Sequence, residues 1–234
     1  MKNNRTVKGE TAVNYILFLV ASSIEYFGTF IFMFALFRFR LYPRMISNIL
    51  LISFLMSQVS YFTRQNPEIG EMSTYIQFIL FVFVLWIMFR VPIFHSVVMN
   101  FAGLAINMLT GGISILGVGW LFGIPTQEIL QNIWIASSIQ VLSAVMTITI
   151  SRTVYVFNLG FDFVPTSSRG SVHMKGTNAV LLVIILSTVV LAALTALMFK
   201  SNFTFYLVCS FPVFLLTIPI FLYYAIRKDN EDAS

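Results

Sequence analysis

Charge is scarce in this chain. Asp, Glu, Lys and Arg make up 10% of 234 residues, against about 25% in an ordinary soluble domain. So few charges cannot cover a water-facing surface, which excludes a soluble globular domain. Cysteine is scarcer still: Cys209 stands alone within an apolar run, so neither a disulfide framework nor a cysteine-rich metal site is available. Two histidines, His95 and His173, are far apart and lack HExxH or any related spacing; no metal site and no cofactor are expected. No Ser–His–Asp set, no intramembrane carboxylate pair and no phosphate-cradling glycine loop is present, so the chain reads as a non-enzyme. FDFVPTSSRG, with Asp162, Ser167, Ser168 and Arg169, has no catalytic spacing. The net charge of +5 is no nucleic-acid signal, because Lys and Arg gather at the ends of apolar runs rather than in one stripe.

What the chain does have is hydrocarbon. Hydrophobic residues are 58% of it, Phe alone supplies 25, and the mean hydropathy is +0.88. Lipid is the solvent for which such a composition is built, and spans of roughly 20 residues use up nearly all of the length. The expected fold is all-α: a polytopic transmembrane helical bundle in a single integral membrane domain. Seven spans are read, at about 13–37, 45–62, 74–89, 91–109, 133–150, 178–199 and 203–226, with a polar tail, RKDNEDAS, over 227–234. Six spans are the alternative, since only Arg90 and Pro92 divide the third from the fourth. The opening MKNNRTVKGE resembles a signal-peptide n-region, but the apolar run behind it is too long for an h-region and is expected to stay as the first span. No internal repeat supports an inverted-repeat transporter.

Basic residues orient the bundle. Seven spans place Arg38, Arg40, Arg44, Arg90, Arg152, Arg169, Lys175, Arg227 and Lys228 on one side. The smaller set, Lys2, Arg5, Lys8, Arg64 and Lys200, falls on the other. The richer side is expected to be cytoplasmic, with the N-terminus outside and the C-terminus inside. Trp86, Trp120 and Trp134 fall near span ends and suit interfacial anchoring.

One charge stands where the pattern resists it: Glu25, in VASSIEYFGTF, at the middle of the first span. A charged carboxylate at the bilayer centre costs about 2.5–3.5 kcal/mol on insertion scales, so neighbours must offset it. Ala21, Ser22, Gly28 and Thr29 share its helix face, and small residues on one stripe allow close helix approach. Two further polar stripes follow helical spacing: Ser96, Asn100, Gly103, Asn107 and Thr110, then Ser137, Gln140, Ala144, Thr147 and Ser151. A weaker one holds Ser53, Ser57 and Ser60. Gathered inward, these faces form a polar interior into which Glu25 points. Candidate ligand-binding residues are Glu25, Ser22, Thr29, Asn100, Asn107 and Gln140. Two readings of Glu25 remain open: a cation, proton or ligand contact in a hydrated cavity, or a neutral group bonded across helices as packing glue. The Asn and Gln stripes divide in the same way, between packing and ligand contact.

The connection GGISILGVGWLFGIP reads as a flexible outer loop, or as a re-entrant segment lining a cavity. RQNPEIGEMS, with Glu68 and Glu71, reads as an outer turn around Pro67 and Gly70, open to a cationic ligand.

The run YILFLVASSIEYFGTFIFMFALFRFRLYPRMISNILLISFLMSQVSYFTR, then a short loop, an apolar helix and the basic end IMFRVP, carries a resemblance. Over residues 14–110 it is similar to the N-terminal membrane module of AgrC-like peptide-sensing histidine kinases of Gram-positive bacteria. Glu25 and the basic turn Arg38–Arg44 are its most recognisable points. The resemblance implies six or seven helices that receive an extracellular signal and pass a helix movement inward. RKDNEDAS has no room for a phosphoaccepting histidine or an ATP-binding domain, so kinase activity is not expected and signalling falls to a separate partner.

The expected function is thus a stand-alone sensory or regulatory module of a bacterial plasma membrane. It would bind a peptide or small molecule among polar helix faces, be surrounded by membrane lipid, and act through a partner protein, with no nucleic acid involved. The alternatives are a small transporter, or a transporter's membrane subunit, using Glu25 for coupling, and a membrane assembly or immunity protein.

Overall fold

A computed structural model describes residues 3–66, 73–165, 176–198 and 203–233. Glu68, Glu71, Ser167, Ser168, Arg169, His173, Lys175 and Lys200 lie outside the described residues. Helices account for nearly all of what is described: α1 Asn3–Leu36, α2 Pro43–Gln65, α3 Ser73–Ile87, α4 Ile93–Phe122, α5 Thr126–Gln131, α6 Ile133–Val156, α7 Thr177–Met198 and α8 Phe203–Ala233. Among the described residues no strand is present, and six helices are long and apolar enough to cross a membrane: all but α3 and α5. The chain is a multi-pass membrane protein of helical-bundle form.

Local chemistry sets the helix ends. Pro43 opens α2 in the first turn, where its missing N–H is no loss. Asn132 caps α6, its side-chain oxygen accepting from Trp134 N at 3.0 Å and Ile135 N at 3.4 Å. Gly123 closes α4 at φ 66°, the left-handed geometry that glycine adopts without strain. α1 and α6 close the same way on residues with a Cβ, Arg38 (φ 52°) and Asn158 (φ 54°). In each case the next amide reaches back five residues, Phe39 N to Phe34 O at 2.9 Å and Leu159 N to Val154 O at 3.0 Å.

Cross-helix contacts give the directions. Tyr26 bonds Gln77, Phe30 packs on Phe81 and Phe34 on Phe89, so α3 runs with α1. Thr29 meets Asn107 while Met33 lies against Gly103, so α4 runs against α1. Gln140 reaches Ser22 and Ala144 abuts Gly28, which sets α6 along α1. Phe211 lies on Gly112, and Phe101 packs on Phe214 and Phe221, so α8 opposes α4. α1 is the hub, packed most extensively on α6 and then on α2. The end of the bundle that holds the start of α1 and the ends of α2 and α4 is called the near end below.

One expectation is corrected. The glycine-rich connection is no loop: α4 continues through it to Phe122. In hydrocarbon a helix satisfies every backbone N–H and C=O, and glycine does not break it there as it would in water. The polar tail RKDNEDAS is helical as far as Ala233, where α8 ends. Arg227–Glu231 at 2.9 Å and Lys228–Asp232 at 2.5 Å are neighbours one turn apart that support it.

Candidate functional site

A cavity of about 570 Å³ occupies the near half of the bundle. α1 contributes Glu25 and Thr29 from mid-helix. α4 brings Asn100, Asn107, Gly111 and Gly112, and α6 brings Ser137 and Gln140. Five of the six residues expected at the site therefore line one chamber. Ser22, the sixth, is not part of the wall; its hydroxyl accepts from Gln140 Nε2 at 3.4 Å. The chamber also receives groups that the sequence reading missed: Tyr26 on α1, Arg64 on α2, Tyr75 and Gln77 on α3, and Tyr206 on α8. Ser73 and Gln77, one turn apart on α3, were the available signal, and Arg64 is the one basic residue at the end of α2.

Most polar side chains here are occupied with one another. Asn100 Nδ2 donates to Phe78 O at 2.7 Å, and Thr29 Oγ1 lies 2.9 Å from both Asn107 Oδ1 and the Glu25 carbonyl. Tyr26 bonds Gln77, and the Tyr75 and Tyr206 hydroxyls are hydrogen-bond partners joining α3 to α8. Deeper between α4 and α6, Thr110 lies 2.8 Å from Ser143 and 3.1 Å from Thr147. The second helix is sewn to the first by Ser23–Ser57 at 2.9 Å and by Tyr15–Gln58. Cross-helix bonding is thus supplied by Ser, Thr, Asn, Gln and Tyr.

Glu25 takes no part in it. Among the described residues, its carboxylate makes no hydrogen bond and no ion pair, and the Asn and Gln groups expected as its company are engaged elsewhere. Arg64 lies within electrostatic reach without forming an ion pair. Its guanidinium sits over the Phe18 ring, 5.6 Å from the centroid, and it is exposed at the near end. The Ser137 hydroxyl is equally idle: 3% exposed, lining the chamber, with no hydrogen-bond partner among the described residues. A half-buried carboxylate, a guanidinium and a hydroxyl face one space, walled by Phe18, Phe78 and Phe81 and topped by Ile129 of α5 and Ile133 of α6.

Below Phe81 the bundle is filled. Phe30, Phe34, Phe101, Phe214 and Phe221 are fully or almost fully buried and stack from α1, α4 and α8. At the far end, polar groups fasten α1 to α8 through the segment after α6. Arg38 pairs with Asp162 and donates to Asn158 O at 2.9 Å. Phe161 N donates to Leu36 O at 2.7 Å. Asp229 Oδ1 accepts from Asp162 N at 2.6 Å and Phe163 N at 3.0 Å. His95, buried beside Phe94 and Phe163, forms part of this packing; among the described residues no cluster suited to a metal is present.

Comparison with protein-family models, with curated proteins and with solved structures found no match to this chain.

Proposed function

We propose that this protein is a ligand-receiving sensory or regulatory module of a bacterial plasma membrane, crossing it seven times with the N-terminus outside. α3 would serve as the short third crossing. Its 15 residues span only about 22 Å, less than the roughly 30 Å hydrocarbon core. It runs with α1 while α2 and α4 both run against it, so it carries the chain back between them. The basic turns Arg38–Arg44 and Arg90 then share the cytoplasmic side.

One observation carries the reading: the Glu25 carboxylate at mid-span faces a chamber and, among the described residues, is bound to nothing. Charged residues within membrane spans cluster at ligand and ion pathways, and a chamber of this size suits a small-molecule ligand. Its occupant would contact α1 and α8 together, through Glu25 and Tyr206. The same two helices are fastened to each other at the far end by Arg38, Asp162 and Asp229. A ligand that prefers one arrangement of α1 against α8 would shift that end toward a separate signalling partner; differential affinity is the only means by which it could. The likeness of residues 14–110 to peptide-sensing membrane modules fits this reading.

The test is thermal melting of the purified protein in detergent against peptides and small polar molecules. Wild type is expected to be stabilised by at least one of them and Glu25→Gln is not. No stabilisation by any candidate, together with an unaltered cellular phenotype for Glu25→Gln, would end the proposal. A transporter using Glu25 for coupling is the second reading, favoured by a carboxylate at mid-depth. Flux into proteoliposomes separates the two, since the aromatic fill beneath the chamber favours binding without passage.

A further inference from the structure

Resting on that reading, we infer that the chamber takes a zwitterion: a small molecule with an ammonium group for Glu25, an anionic group for Arg64 and an apolar body between them.

Glu25 and Arg64 line the same cavity, yet they do not pair with each other or, among the described residues, with any other charge. A bare cation would satisfy Glu25 and be repelled by Arg64. A bare anion would do the reverse. A neutral apolar ligand would bury the carboxylate with no partner, which is the costly arrangement for a charged group. A dipolar ligand alone gives both groups a charge-assisted bond at once. Its orientation follows from the fold, with the ammonium inward at mid-span and the anion outward at the exposed end of α2. Phe18, Phe78 and Phe81 border the path between them, so the body of the ligand is apolar or aromatic. Ser137, buried on the α6 wall without a hydrogen-bond partner among the described residues, lines the same chamber and is open to the ligand.

Two sources share this chemistry, a free amino acid or short peptide and the headgroup of phosphatidylethanolamine, and the experiment separates them. Full-length protein in detergent is titrated with a panel of apolar dipeptides, phenylalanyl-leucine first, and with their N-acetylated and C-amidated forms. Dihexanoyl-phosphatidylethanolamine is the lipid arm, with dihexanoyl-phosphatidylglycerol as its control. Removing either pole is expected to weaken binding about tenfold or more, the loss of a charge-assisted bond. Glu25→Gln should erase the preference for the free amine over the acetylated form, and Arg64→Gln the preference for the carboxylate over the amide. Binding by the ethanolamine lipid with the same dependence on both residues supports the inference and names the headgroup as its source. Acetylated or amidated ligands that bind wild type as tightly as the parents overturn the zwitterion while the ligand-receiving chamber stands. If neither the panel nor the lipid binds in any form, both fall. Because the ligand derivatives act on wild type, a poorly folded variant cannot obscure the result.

Discussion

Glu25 and Thr29 lie on one helix face, yet Glu25 and Asn107, the partner of Thr29, should respond oppositely to substitution. Glu25 bonds no other side chain among the described residues, so Glu25→Gln removes a charge from hydrocarbon without breaking a contact. Its melting temperature is expected to equal or exceed that of wild type, while ligand stabilisation disappears; a fall in stability would mean that Glu25 is packing glue after all. Asn107→Leu, by contrast, loses the contact with Thr29 that ties α4 to α1. It is expected to cost about 0.6–1.7 kcal/mol, from the average to the largest value that double-mutant cycles give for interhelical hydrogen bonds in a membrane, measured by reversible unfolding in mixed micelles. The comparison separates two roles that look alike on a helical wheel. A polar group on a buried face either binds the next helix or waits for something else, and only its partners tell which.

The glycines of α4 and of the segment after α6 make the same distinction for whole elements. Gly117 lies in helical backbone with nothing within 4 Å of where a Cβ would stand. Gly117→Ala should therefore stabilise by about 0.5–1 kcal/mol, the usual difference between the two residues inside a helix. In a flexible loop the change would be close to neutral, so a melting curve tests whether this stretch is helical. At Gly160 a Cβ would fall 2.7 Å from Leu36 O, the oxygen that accepts from Phe161 N. Backbone cannot give way as a side-chain tip does, and Gly160→Ala is expected to destabilise by about 1–3 kcal/mol, the cost of overpacking a close contact. Because this contact fastens the end of α1, the substitution should also loosen the far end, read as faster amide exchange in residues 158–164.

At the scale of the molecule, the decisive prediction concerns sidedness. In a Cys209→Ser background, single cysteines at Arg44 and Arg90 are expected to react with a membrane-impermeant maleimide from the same side. A cysteine at Asn132 should react from the opposite side. If α3 does not cross, Arg90 and Arg44 will label from different sides, and the seven-crossing proposal fails. Asp229→Ala belongs at this scale too. It leaves the amides of Asp162 and Phe163 without their acceptor, at a cost of about 1.5–3 kcal/mol for bonds to a charged group. It should free α8 from α1 at the far end and thereby weaken any signalling response more than ligand binding.

Composition and periodicity by themselves determined the class and most of the helices, because hydrocarbon admits one economical backbone solution and punishes exposed charge wherever it falls. They also placed Glu25, Thr29, Asn100, Asn107 and Gln140 on inward faces, since helical spacing decides which residues share a side. Spacing could not assign partners. That Asn107 meets Thr29, that the Glu25 carboxylate bonds nothing among the described residues, and that Arg64 from the end of α2 shares its chamber depend on how helices distant in sequence cross. Nor could it see that GGISILGVGWLF stays helical up to the Gly123 cap, because glycine within a run signals a turn in water and is tolerated inside a helix in lipid. The tertiary structure decided which polar groups are spent holding the bundle together and which are left facing the cavity.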